Sequence, residues 1–160
     1  RSPCAMLCAA IASFPYFFNP LKNPLYAAIG FLGPYCSTML MLNWEVLMKM
    51  SVKGVLGLWI GIANACLVHV IADAADPGQF NRVWSFLLWL PEAWFWSLAF
   101  KPMNNKLSDW IMPEGIFVTG TLGAMFYPPG NVYVALAAAG TWATFGFVVM
   151  CSVVTILKVT

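Results

Sequence analysis

From Gly115 to Leu157 the chain contains no Asp, Glu, Lys, Arg or His. No other property of the sequence narrows the possible folds as much. A helix or strand of a water-soluble domain keeps one polar side, so charges recur at the period of the element. A run this long without charge has no wet side. It is long enough for two helices of about 20 residues, the length that crosses a hydrocarbon layer of about 30 Å. The reversal between them is written in "YPPGN" (127–131), where Pro and Gly end one helix and Asn satisfies loose backbone groups.

The rest of the chain follows the same pattern. Charged residues make up 9% of the 160 and hydrophobic residues 61%, against roughly 25% charged in an ordinary soluble domain. Eight basic and six acidic side chains cannot cover a water-soluble surface of this size. The expected class is all-α: a polytopic membrane helix bundle, one domain over 1–160, with about six transmembrane helices, some kinked or broken at proline. The expected spans are 3–18, 25–43, 55–72, 83–100, 107–127 and 132–157. The fourth reaches roughly 27 Å at 1.5 Å per residue, just enough to cross. The first is short, and the sixth is long enough to tilt or protrude. Between them "FNPLKNP" (18–24), "DAADPGQFNR" (73–82) and "KPMNNK" (101–106) carry turn chemistry.

Six spans place the N-terminus, the second and fourth links and the C-terminus on one side. That side holds Arg1, Lys49, Lys53, Lys101, Lys106 and Lys158, and the other holds Lys22 and Arg82. The positive-inside rule then turns both termini toward the cytoplasm, matrix or stroma. Two readings of the start at Arg1 stay open: a targeting peptide removed on import, which implies an organelle inner or thylakoid membrane, or a trimmed sequence.

Several residues are candidates for chemistry. Cys4, Cys8, Cys36, Cys66 and Cys151 all lie in apolar stretches without metal-site spacing and read as small buried hydrophobes. The single histidine, His69, has two readings: an axial ligand for a haem iron or chlorophyll magnesium, or a structural group held by Asp73 one turn on. One histidine excludes a bis-His haem made by this chain alone. Glu92 falls inside an expected span, where a carboxylate costs on the order of 2.5–3.5 kcal/mol and by default marks a proton or solute path. Yet Pro91 precedes it, and the pair recurs as Pro113-Glu114. Proline suits the first position of a helix and an acid suits its positive end. Each pair is therefore expected to mark a break, with the glutamate capping a restarting half-helix; broken helices also build transporter sites.

Small residues recur every four positions: Gly57, Gly61 and Ala65 in the third span, Gly115, Thr119 and Gly123 in the fifth, and Ala135, Ala139 and Ala143, with Gly140 beside them, in the sixth. Such faces let helix backbones approach closely, within the bundle or against other membrane-protein subunits. Trp44, Trp84 and Trp110 lie near span ends, as an aromatic belt requires. Trp89, Trp94 and Trp96 lie deeper, where lipid, helices or flat pigments such as chlorophyll or carotenoid are equally open partners. In the link "NWEVLMKMSVKG" (43–54), Glu45, Lys49 and Lys53 repeat at helical spacing, which predicts a helix running into the headgroup zone and meeting anionic lipid.

Pro24-Leu25-Tyr26-Ala27, the charged link and Lys53 before Gly57-x-x-x-Gly61 resemble the membrane domain of the fusaric-acid-resistance (FUSC) family of aromatic-acid exporters. The resemblance implies a six-helix unit that moves anions, with Lys53 as a cation of the pathway. From the residues themselves, no nucleophile sits with a base, and there is no metal cluster, phosphate loop or nucleic-acid patch, so no enzyme is expected. Two functions remain: an accessory subunit of a larger bioenergetic or photosynthetic membrane complex, with the lipid bilayer and other subunits as partners, or a transporter unit for an anion or small solute.

Overall fold

One long helix organises the others. The computed structural model describes residues 10, 44–75, 82–100, 105–125 and 131–159, and all of its elements among them are helices. They are α1 (Trp44–Ala75), α2 (Arg82–Ala99), α3 (Asn105–Ser108), α4 (Pro113–Met125) and α5 (Val132–Val159).

α1 is a single uninterrupted helix of 32 residues. It contains no proline, and Glu45 stands in its first turn, where an acid opposes the helix dipole. The charged link is therefore not a loop. Its residues form the first turns of α1, as the Glu-Lys-Lys spacing predicts. At about 1.5 Å per residue α1 is roughly 48 Å long, so part of it must project beyond a hydrocarbon layer.

Hydrogen bonds between helices set their directions. Trp44 Nε1 donates to Thr155 Oγ1 at 3.1 Å and Trp59 Nε1 donates to Thr144 Oγ1 at 3.0 Å. At the other end the Tyr133 hydroxyl donates to Asp73 Oδ2 at 3.5 Å. Rising numbers in α1 meet falling numbers in α5, so the two are antiparallel. α4 runs parallel to α1: the Met112 N–H donates to the Lys53 carbonyl at 3.1 Å, and further along His69 meets Gly123. The second link, the segment before α4 and the end of α5 thus gather at one end. Asp73 and the start of α5 mark the other.

α1 packs most extensively on α4, then α5, then α2. Two larger apolar cores result. Leu58, Ile62 and Ala65 of α1 meet Leu136, Ala139 and Ala143 of α5. Val68 of α1 meets Trp89 of α2 and Ile116 and Ala124 of α4. α5 starts on a side-chain cap, with Asn131 Oδ1 accepting from the N–H groups of Tyr133 (3.0 Å) and Val134 (3.3 Å).

The expected spans need correction. Among the described residues two helices, Trp44–Ala75 and Val132–Ile156, are long and apolar enough to cross a membrane, against six expected for the whole chain. The spans at 3–18 and 25–43 lie outside the described residues, Ala10 apart. The span at 83–100 does form a helix, but four Trp with Pro91 and Glu92 dilute its apolar character. The span at 107–127 divides. α3 ends at Ser108, residues 109–112 are irregular, and the helix resumes only at Pro113. The proline ring would clash with the carbonyl four residues back and supplies no N–H, so it opens a helix more easily than it continues one. The 13 residues of α4 reach about 20 Å at 1.5 Å each, short of a hydrocarbon core. The two Pro-Glu pairs also part company: Pro113 starts α4 as predicted, but Pro91 lies inside α2, which continues through it without a break.

Candidate functional site

The small-residue stripes of α1 and α4 face each other. A Cβ added at Gly61 would fall on Thr119 Oγ1 and 2.8 Å from the Ile116 carbonyl. One added at Gly57 would strike the Met112 carbonyl, and one at Gly115 would lie 3.0 Å from Leu58 N. One at Gly123 would lie 2.5 Å from the Ala65 Cβ. The backbones therefore touch along the whole seam, which side chains larger than hydrogen would prevent. Close approach also brings the Thr119 hydroxyl to two carbonyls, Gly115 at 2.6 Å in its own helix and Leu58 at 3.1 Å in α1. With one hydrogen to give, it divides between them. On the far side of α1, a Cβ at Gly140 would meet Ile62 Cδ1 at 2.5 Å, and Ala139 is wholly buried.

His69 sits at the top of this seam, 1% exposed, with Nε2 2.8 Å from the Gly123 carbonyl. A carbonyl only accepts, so the ring hydrogen sits on Nε2. That bond engages Nε2, one of the two ring nitrogens. The Asp73 carboxylate, four residues on, accepts from Tyr133.

Lys53 has a precise task at the opposite end. Its Nζ donates to the Ser108 carbonyl at 2.9 Å, while its own carbonyl accepts from Met112. One residue thus satisfies the open C-terminus of α3 and a loose donor ahead of α4, the places where helix ends leave groups unpaired. A cation at a helix C-terminus is also favoured by the dipole. Glu114 lies in the first turn of α4 and is exposed, where it complements the positive helix end.

Glu92 is different. It is half-buried, and its Oε2 is shielded from solvent with no hydrogen-bond partner. Leu88 and Trp96, one turn to either side, pack in the core that joins α2 to α1 and α4. Asn64, a residue that sequence reasoning missed, stands on α1 one turn from Ile60 and Val68, which belong to the same core. Its Nδ2 is likewise buried and unpartnered. A lone Asn in an apolar helix was legible in the sequence; that its amide nitrogen is buried without a partner was not.

Two tryptophans that the sequence treated alike also separate. Trp89 is 6% exposed and donates Nε1 to Thr121 Oγ1 at 3.0 Å, whereas Trp94 is 68% exposed. A Trp-to-Thr bond across helices therefore recurs among the described residues, at Trp44, Trp59 and Trp89. In two of them the threonine passes the bond on to the carbonyl four residues back, Thr144 to Gly140 at 2.8 Å and Thr155 to Cys151 at 2.7 Å.

The chain matches no family model, no curated protein and no solved structure. Function is therefore argued from its own residues. Among the described residues, no group of three or more His, Cys, Asp or Glu side chains could hold a metal ion, and Cys66 and Cys151 carry free thiols. What the arrangement offers is two partly buried polar side chains, Asn64 and Glu92, whose helix neighbours share one apolar core.

Proposed function

We propose that this chain is a multi-pass integral membrane protein, with α1 and α5 crossing the bilayer, and that it serves as a non-catalytic helical subunit of a larger membrane complex. The outer face of α2 carries this reading. Trp84, Phe86, Leu90, Trp94 and Phe95 all point away from the bundle, and among the described side chains of that helix only Ser85 and Trp89 are buried. Water would not tolerate an apolar strip of this kind, and an aromatic one offers more contact than lipid chains require. Lys49 and Lys106, both exposed at the end marked by Lys53, suit anionic headgroups there.

Purification in a mild detergent tests the assignment. The chain should elute with other polypeptides in fixed stoichiometry, and the complex should persist when the detergent is exchanged. A homo-oligomer that carries solute flux after reconstitution would replace this reading with the second one, a transporter unit of the kind the FUSC resemblance implies. The observation favouring that alternative is that Asn64 Nδ2 on α1 and Glu92 Oε2 on α2 are each buried without a hydrogen-bond partner.

A further inference from the structure

We propose that a second copy of this chain packs on the outer face of α2. The two α2 helices lie side by side in the same direction, and Trp94 of each donates its indole N–H to the Leu87 carbonyl of the other. The inference rests on the reading of that face as a contact surface in the membrane and names its occupant. It does not require other polypeptides, so a failed copurification leaves it standing.

Leu87, Leu90, Trp94 and Leu98 of α2 are 49%, 52%, 68% and 43% exposed. Steps of three, four and four residues put them on one narrow stripe of the helix, the spacing of a seam between two helices. Pro91, beside Leu90, is exposed as well. α2 lies at membrane depth, because Trp89 shares a core with Val68 and Ile60 of the crossing helix α1. Glu92, two residues before Trp94, lies on the side where Leu88 and Trp96 pack inward, so the seam brings no like charges together.

Two polar groups on this stripe lack partners among the described residues. Pro91 has no N–H, so the Leu87 carbonyl loses its donor four residues on, although α2 continues through the proline. That carbonyl opens between Leu87 and Pro91, both exposed. The second group is the Trp94 indole. Trp44, Trp59 and Trp89 each donate Nε1 to a threonine of another helix, but no described residue accepts from Trp94. Lipid chains offer neither donor nor acceptor, so a backbone carbonyl at this depth needs a protein partner. A carbonyl calls for a donor and an indole N–H for an acceptor, and a face that carries both complements itself. A two-fold axis along the membrane normal pairs the two faces with both copies the same way up. The helices then cross near Leu90 and Pro91, with Leu87 before the crossing and Trp94 after it. Helical side chains lean toward the N-terminus, so each indole reaches back toward the Leu87 carbonyl of the other copy, and the same bond is made twice.

The test is cross-linking of the full chain in phosphatidylcholine vesicles at a high ratio of lipid to protein. Leu90→Cys should give a disulfide-linked dimer on mild oxidation, well above the baseline set by wild type with its five native cysteines. Leu56→Cys, on the exposed side of α1, should stay at that baseline. Two further changes, made in the Leu90→Cys chain, read the hydrogen bond. Trp94→Phe removes the donor and keeps an aromatic ring on an exposed site. Pro91→Ala restores the amide that takes up the Leu87 carbonyl, and alanine favours the helix, so the fold is kept. Each should lower the cross-linked fraction several-fold, and both together little more than either alone, because they remove the same bond. In the native membrane the Leu90→Cys chain should again join its own kind. The proposal is overturned by no dimer above baseline, by an equal yield from Leu56→Cys, or by a yield that Trp94→Phe and Pro91→Ala leave unchanged. It is also overturned if, in the native membrane, a different polypeptide is captured in place of the second copy.

Discussion

Gly61→Ala probes the contact on which the bundle turns. The new methyl would fall on Thr119 Oγ1, with the Ile116 carbonyl at 2.8 Å and Gly120 N at 3.0 Å. The last two are backbone atoms of α4, so no rotamer change relieves them and the helices must part. Overpacking of this kind costs about 1–3 kcal/mol. Parting also stretches the bond from Thr119 to Leu58, worth about 0.6 and at most about 1.7 kcal/mol in membrane bundles. Against this, Ala is favoured over Gly within a helix by about 1 kcal/mol. The net expectation is a loss of about 1–3 kcal/mol. Reversible unfolding in mixed micelles, followed by tryptophan fluorescence, would read it. Gly54→Ala is the matched control in the same helix: its methyl would meet the tip of the Phe147 ring at 3.2 Å, a side chain that can yield, so a change within about 0.5 kcal/mol is expected. Removing the struck hydroxyl with Thr119→Ala should make the Gly61 change less costly, a coupling that a double-mutant cycle isolates. If Gly61→Ala proves as stable as Gly54→Ala, the close seam between α1 and α4 does not exist.

Two further outcomes follow from the hydrogen bonds. Trp59→Phe and Thr144→Val should each destabilise the protein, and their double-mutant cycle should show a coupling of about 0.6 and no more than about 1.7 kcal/mol, because both remove the same bond between α1 and α5. Lys53→Met should remove the bond from Nζ to the Ser108 carbonyl and expose residues 105–112 to limited proteolysis, while the thermal midpoint of the remaining bundle moves little.

Much of this was legible in the chain itself, and the misses have physical causes. Position 113 shows a proline that opens a helix, and position 91 one that does not, although the same glutamate follows each. The difference is not local. At 113 the preceding segment is anchored from outside, by the Lys53 carbonyl and ammonium, so the helix can stop and restart. At 91 the neighbours on α2 lie against α1 and α4 on both sides of the proline, and packing carries the helix through. The tryptophans make the same point. Trp89 and Trp94 stand in one apolar run, yet one is clamped to Thr121 and the other faces outward, because five residues turn a helix through about 140° at 3.6 residues per turn.

Periodicity and composition determined what each segment had to be. Long uncharged runs form helices, glycine every fourth residue leaves a face without side chains, and an acid or a proline marks where a helix can begin. These are properties of single elements, which the chain writes in order. Only the tertiary structure decided which bare face meets which, that Lys53 closes a helix end, that His69 spends its ring hydrogen on a carbonyl, and that Trp89 is clamped to Thr121. Those facts belong to pairs of residues distant in sequence, and packing sets them through backbone approach and hydrogen-bond directions that no local pattern encodes.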